Sequence, residues 1–126
     1  YKTILELLEG RRSQKQGSVL VYHKENIIPV KVDDIALFYI EHEVTRLITF
    51  NQQYYSISKT LEELENITGN AFYRANRQFL INRKAINNVS QYFARKLSVN
   101  LIIPFKGKII ISKEKSKDFL NWLSDS

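Results

Sequence analysis

The chain reads as a mostly β domain with short helices, a β-rich α+β class, and three features predict it. Short runs of β-branched and aromatic residues recur between clusters of Asn, Asp, Gly, Lys and Pro, and runs of that kind favour half-buried strands over helices. Past the N-terminal segment, helical spacing coincides with cap signals in two places, one opening at Thr60 and the other at Ser112. The length of 126 residues fits one domain, large enough to bury a core without disulfide or metal staples.

Composition narrows the functional classes. There is no cysteine, so disulfides, thiolate metal sites and cysteine nucleophiles are excluded, and a reducing compartment suits the chain. No apolar run approaches the roughly 18 residues of a membrane span, and no signal-peptide pattern is present. A soluble, cytoplasmic protein with no membrane partner is expected. Nineteen Lys and Arg against thirteen Asp and Glu give a net charge of +6, a balance that favours a polyanionic partner. The sequence opens at Tyr1 and contains no methionine, and a fragment of a longer protein is expected.

In chain order, Ile4, Leu5, Leu7 and Leu8 stand at helical spacing, followed by Gly10 and a polar run to Gly17. Residues 1–17 therefore read as a helical linker tail, and residues 18–126 as the domain. Val19–Tyr22 and Ile27–Val32 suggest a hairpin turning at Lys24-Glu25-Asn26, with Pro29 confining its strand to an edge. Val32–Ile35 looks like a tight turn capped by Asp33. Adjacent Asp33 and Asp34 diverge on a turn, and no other chemistry converges on them, so a paired-carboxylate catalytic site is not expected. Ala36–Ile40 and Arg46–Phe50 are the next strands, joined by a loop over Glu41–Thr45. His42 lies between glutamates, but one histidine is short of a metal site's ligand count, and His23 sits in a different strand. Tyr54–Ile57 is a further strand beyond the turn Asn51–Gln53. Thr60 and Glu63 fit a capping box, Leu61, Leu64 and Ile67 repeat along one face, and Gly69 can end the helix. Its acidic face of Glu62, Glu63 and Glu65 suits a place behind the sheet rather than against a polyanion.

The stretch Phe72–Ile86 carries most of the functional signal. Phe72, Phe79, Leu80, Ile81 and Ile86 can face a core, whereas Arg74, Asn76, Arg77, Arg83 and Lys84 cannot be buried unpaired. Arg and Asn have the donor geometry to read base edges, and further Arg and Lys supply phosphate contacts. After it, Gln91–Arg95 and Leu97–Ile103 read as a hairpin turning at Arg95-Lys96. The alternation of Leu97, Val99 and Leu101 with Ser98 and Asn100 marks one wet face. Pro104 ends that strand, Lys106–Lys108 turns into Ile109–Ile111, and Ser112 caps a last helix bearing Phe119, Leu120, Leu123 and Trp122 as its apolar anchor.

Phe72, Arg74, Arg77, Phe79, Leu80, Ile81, Asn82 and Ile86, at this spacing, resemble the signature of the LytTR family, the DNA-binding domains at the C-terminus of bacterial response regulators. Asn76 stands where that family usually has His, and Gln78 where it has Ser. The resemblance extends over about residues 18–125 and includes Ile111-Ser112-Lys113, which is similar to the family's Val-Ser-Arg. It implies an elongated fold of several small antiparallel sheets with a C-terminal helix, and loops that enter the major groove. It also implies base contacts from Thr45, Arg46, Asn76, Arg77 and Lys113, with Arg74, Arg83, Lys84, Lys106 and Lys108 on phosphates. The implied partners are double-stranded DNA in promoter direct repeats, an N-terminal receiver domain and a second copy of the domain on the DNA.

Nothing in the sequence asks for catalysis. It has no glycine-rich phosphate loop, nucleophile elbow or His-Glu-x-x-His pattern, so neither an enzyme nor a cofactor is expected. The competing reading is a protein-interaction module, or a single-strand binder that stacks bases on its aromatic residues. Phe72, Phe79, Phe93 and Trp122 stand among core-type neighbours, which disfavours that alternative.

Overall fold

The computed structural model describes residues 17–125. The expected helical linker tail lies outside these residues, apart from Gly17. Strands β1 (Ser18–His23) and β2 (Asn26–Lys31) form a two-stranded antiparallel ribbon. Pro29 stands opposite Leu20, in a ribbon whose strands each keep one unpaired side that tolerates a missing N–H. The following 3-10 turn, Val32–Asp34, has no side-chain cap. Asp33 instead accepts from Lys84 Nζ at 2.7 Å, a distant partner that outcompetes the local bond expected of it.

The centre of the molecule is a five-stranded antiparallel sheet. Its strands β3 (Ile35–Glu41), β4 (Val44–Thr49), β5 (Tyr54–Ile57), β6 (Phe72–Asn76) and β7 (Phe79–Asn82) lie in the order β5-β4-β3-β7-β6. The unbroken apolar run of β3 has a direct cause: Ile35 to Tyr39 are all buried, because both faces of this sheet are covered. On one face Phe38, Leu47, Phe72 and Leu80 pack with Val19 and Val21 of β1 and with Leu61 and Leu64 of helix α1 (Leu61–Thr68). On the other, Leu37, Tyr39, Ile48, Phe79 and Ile81 meet Val99, Ile109, Ile111 and Phe119. Those four belong to a three-stranded sheet, β8 (Ile86–Tyr92), β9 (Lys96–Leu101) and β10 (Ile109–Ile111), and to helix α2 (Lys113–Ser124).

Helix α1 starts and stops as its sequence dictates. Thr60 Oγ1 accepts from Glu63 N at 3.1 Å, Thr60 N donates to Glu63 Oε1 at 2.8 Å, and Gly69 closes the helix at φ 65°, a conformation that favours glycine.

Other boundaries differ from expectation. The β3–β4 connection is a two-residue turn with His42 and Glu43 both at positive φ, 52° and 66°, the tight form that suits twisted hairpins. Thr45 therefore joins Arg46 in β4, opposite Ile40 and Tyr39, and does not lie in the loop. The β8–β9 turn is Phe93–Arg95, earlier than the expected Arg95-Lys96, with Ala94 and Arg95 at φ 60° and 63°. Asn87–Ser90 belong to β8. There Asn100 Nδ2 donates to Asn88 Oδ1 at 2.6 Å and to Ser90 Oγ at 2.9 Å, a cross-strand polar ladder that holds poor strand formers on a wet face. In α2, Phe119 is fully buried while Leu120 is exposed. Trp122, half-buried, donates Nε1–H to Asn70 O at 2.8 Å. Phe93, expected in the core, is 70% exposed.

Candidate nucleic-acid interface

The register of the central sheet sets which residues can act together. Tyr39 pairs with Phe79 and Leu37 with Ile81, so the β3–β4 and β6–β7 turns leave the same end of the sheet. Ile40 N donates to Gln78 O at 3.1 Å across these two turns. Two further segments reach this end. Ile111, just before α2, pairs with Leu97 near the β8–β9 turn, and Ser116 Oγ of α2 lies 3.5 Å from Arg95 O. One edge thus gathers the β3–β4, β6–β7 and β8–β9 turns and the start of α2.

Within the β6–β7 hairpin most polar side chains are committed to holding it. The Arg74 guanidinium donates to Asn76 O at 2.8 Å, to Arg77 O at 3.0 Å and to Glu65 Oε2 at 2.7 Å. Asn76 Oδ1 accepts from Gln78 N at 2.8 Å, and its Nδ2 donates to Ile110 O on β10 at 3.0 Å. Asn82, buried at the far end of β7, donates to Ile35 O and accepts from Lys84 N, both at 2.9 Å. Such buried amides hold a backbone in place because leaving them unpaired is costly. Arg77 differs from these neighbours. It is exposed, and its side chain has no hydrogen-bond or ion-pair partner among the described residues.

Arg77 borders a concavity of about 660 Å³ that Asn76, Lys96, Ile110, Ser112 and Lys115 also line. Lys115 is tied inward, donating to Arg74 O at 2.7 Å. Lys113, the first residue of α2, is exposed beside Ser112. Arg77 and Lys96 thus border one concavity together with Glu62, and Lys113 follows directly on its lining residue Ser112, so that this edge carries three cations.

Thr45 and Arg46 are neighbours on one strand, and their side chains take opposite faces. Thr45 lines a groove with Tyr22, Val44 and Lys59. Arg46 lines one with Tyr54, Phe105 and Lys106, held by a 3.8 Å ion pair to Glu41 and a 3.4 Å contact with Ser56 Oγ. Lys106 is exposed there, and Lys108 Nζ rests 5.1 Å from the Tyr92 ring centre.

Arg83 and Lys84 stand apart from this edge. They follow β7 at the opposite end of the sheet, where Lys84 pairs with Asp33. Arg83 Nη2 donates to Trp122 O at 2.9 Å, with the guanidinium carbon 4.4 Å from the Trp122 ring centre. Both were expected on phosphates; the length of β7 separates them from Arg77. Arg74 is likewise turned inward, because Glu65 and two turn carbonyls occupy its donors.

No group of three or more metal-ligating side chains occurs among the described residues. His23 packs edge-on against Tyr55 at 5.8 Å. No helix among the described residues is long and apolar enough to cross a membrane. Tyr73, which donates to Asp118 Oδ2 at 2.7 Å, has its phenol pushed far above the ordinary range by burial, then by that bond and the carboxylate charge.

A rigid β scaffold that presents cationic side chains from turns at one edge defines a small nucleic-acid-binding domain. The chain belongs to the LytTR family: the model of the LytTr DNA-binding domain matches residues 25–124. A structural relative, described as the LytTr DNA-binding domain of a methyl-accepting/DNA response regulator from Bacillus cereus, superposes with a TM-score of 0.72 at 16% identity. The match covers 85% of this chain and 96% of that one, so the fold of several small antiparallel sheets with a C-terminal helix is shared. No curated protein matches the sequence.

Proposed function

We propose that this domain binds duplex DNA sequence-specifically, as the output domain of a bacterial two-component response regulator that controls transcription. The observation that carries the reading is the contrast within one hairpin: Arg74 and Asn76 are bonded into the turn, whereas the exposed Arg77 side chain has no partner among the described residues. An arginine on a fixed turn can direct its planar fork at guanine O6 and N7 in the major groove. Lys113 is the second candidate base contact, Arg46 and Thr45 flank the edge, and Lys106 and Lys108 serve phosphates. A receiver domain on the N-terminal side and two copies on promoter direct repeats complete the arrangement.

Selection from a randomised duplex pool, followed by titration of the enriched duplex and its matching single strand at one salt concentration, tests this. The duplex is expected to bind more tightly. Arg77→Ala should lose about 1–3 kcal/mol on the enriched site and relax preference at one position. Equal losses on enriched and random duplex would reduce Arg77 to a phosphate contact. Tighter binding of the single strand would favour stacking on aromatic residues instead.

A further inference from the structure

The β8–β9 turn lies at the basic edge and carries an aromatic ring that the core does not use. Phe93 is 70% exposed. It leans on Tyr92 with ring centres 4.8 Å apart, and Lys96 Nζ lies 5.3 Å from its centre. Tyr92 in turn supports the Lys108 amine. Two consecutive non-glycine residues, Ala94 and Arg95, take left-handed backbone at the tip, the tight hairpin form also seen at His42 and Glu43. The turn lies beside α2, where Ser116 Oγ donates to Ser112 O at 2.9 Å and stands 3.5 Å from Arg95 O. An exposed phenylalanine close to Arg95, Lys96 and Lys108 suits a polyanion with apolar groups on its surface. Duplex DNA offers that combination in its major groove, where the thymine methyl group is the apolar mark.

We infer that Phe93 is a specificity-determining contact to a thymine methyl group, with Arg95 and Lys96 on the adjacent phosphates. This rests on the duplex-binding reading and extends it to a second recognition element beside Arg77. Tyr92 and the Lys96 amine both lie against the ring, and a ring occupied by such neighbours fits a groove-surface contact better than insertion between stacked bases.

The test uses the enriched duplex with each thymine replaced in turn by deoxyuridine, a change that removes only the methyl group. Wild type should lose affinity about fourfold at one position or a few neighbouring ones, the worth of one buried methyl group. Phe93→Ala should bind the parent duplex more weakly by a similar factor or more and be indifferent to the same uracils, while Phe93→Leu retains part of the effect. Circular dichroism of Phe93→Ala should match wild type, since the side chain is exposed. Phe93→Ala binding as tightly as wild type would overturn the proposal while leaving duplex recognition standing. Weaker binding with the uracil sensitivity unchanged would overturn the methyl assignment. Failure of wild type to enrich any duplex removes the proposal together with the reading beneath it.

Discussion

Arg74 Nη1 lies 2.7 Å from Glu65 Oε2, and the same guanidinium caps the carbonyls of Asn76 and Arg77. This joins α1 to the hairpin that presents Arg77. The acidic face of α1, unsuited to DNA, has a use as the counter-charge that turns Arg74 inward. Glu62 lies close by, 3.6 Å from the same nitrogen.

Arg74→Ala is expected to destabilise the domain by about 2–3 kcal/mol, since it leaves a carboxylate and two turn carbonyls without a charged donor. DNA affinity should fall on every duplex through loss of turn order, with the slope of log affinity against log salt unchanged. A slope flattened by about one unit would instead place Arg74 on a phosphate. Thermal unfolding and salt-dependent titration of one variant supply both readings.

Asn76→Ala removes the clasp between the β6–β7 turn and Ile110. A stability loss of about 1–3 kcal/mol is expected, and selection from a random pool should enrich the same sites as wild type. A changed preference at one position would show that the amide leaves its backbone partners to read a base.

Lysines at opposite ends of the sheet should behave differently when their charge is removed. Lys84, paired with Asp33 at the end away from Arg77, should leave both affinity and salt slope unaltered when replaced by Ala. Lys106→Ala should flatten the slope by roughly 0.9 for a lost phosphate contact and weaken all duplexes alike. Similar behaviour of the two variants would mean that DNA wraps far past the turn-bearing edge.

Tyr73 links stability to alkaline pH. Its folded phenol ionises well above the unfolded value of about 10, so the stabilisation it provides is complete below pH 10 and is lost as pH rises through the folded value. Between these limits the unfolded chain releases a proton that the folded one keeps, and stability falls with pH. Tyr73→Phe should cost about 0.5–1.5 kcal/mol near neutrality, for the lost bond to Asp118. Melting temperature should then decline less steeply for the variant than for wild type between pH 9.5 and about 11, and parallel declines would remove Tyr73 as the source.

The sequence by itself determined what local chemistry can decide. The capping box at Thr60 and Glu63, the positive φ at Gly69, the β-branched runs and the wet alternation of β9 were all legible, because each depends on residues within a few positions of one another. The apolar run at β3 was legible as a strand, and the spacing from Phe72 to Ile86 carried the family. Which polar residues remain free was decided only by the tertiary structure. Arg74 finds Glu65 nine residues away, Asn76 finds Ile110 at a separation of 34, and Lys84 finds Asp33 at 51. A charged side chain is a binding group or a structural one according to whether the fold delivers a partner to it. That delivery depends on strand pairing and register, which no local pattern encodes. Phe93 illustrates the same limit for an apolar residue: its neighbours in sequence resemble those of a core position, and only the placement of the β8–β9 turn puts it in solvent.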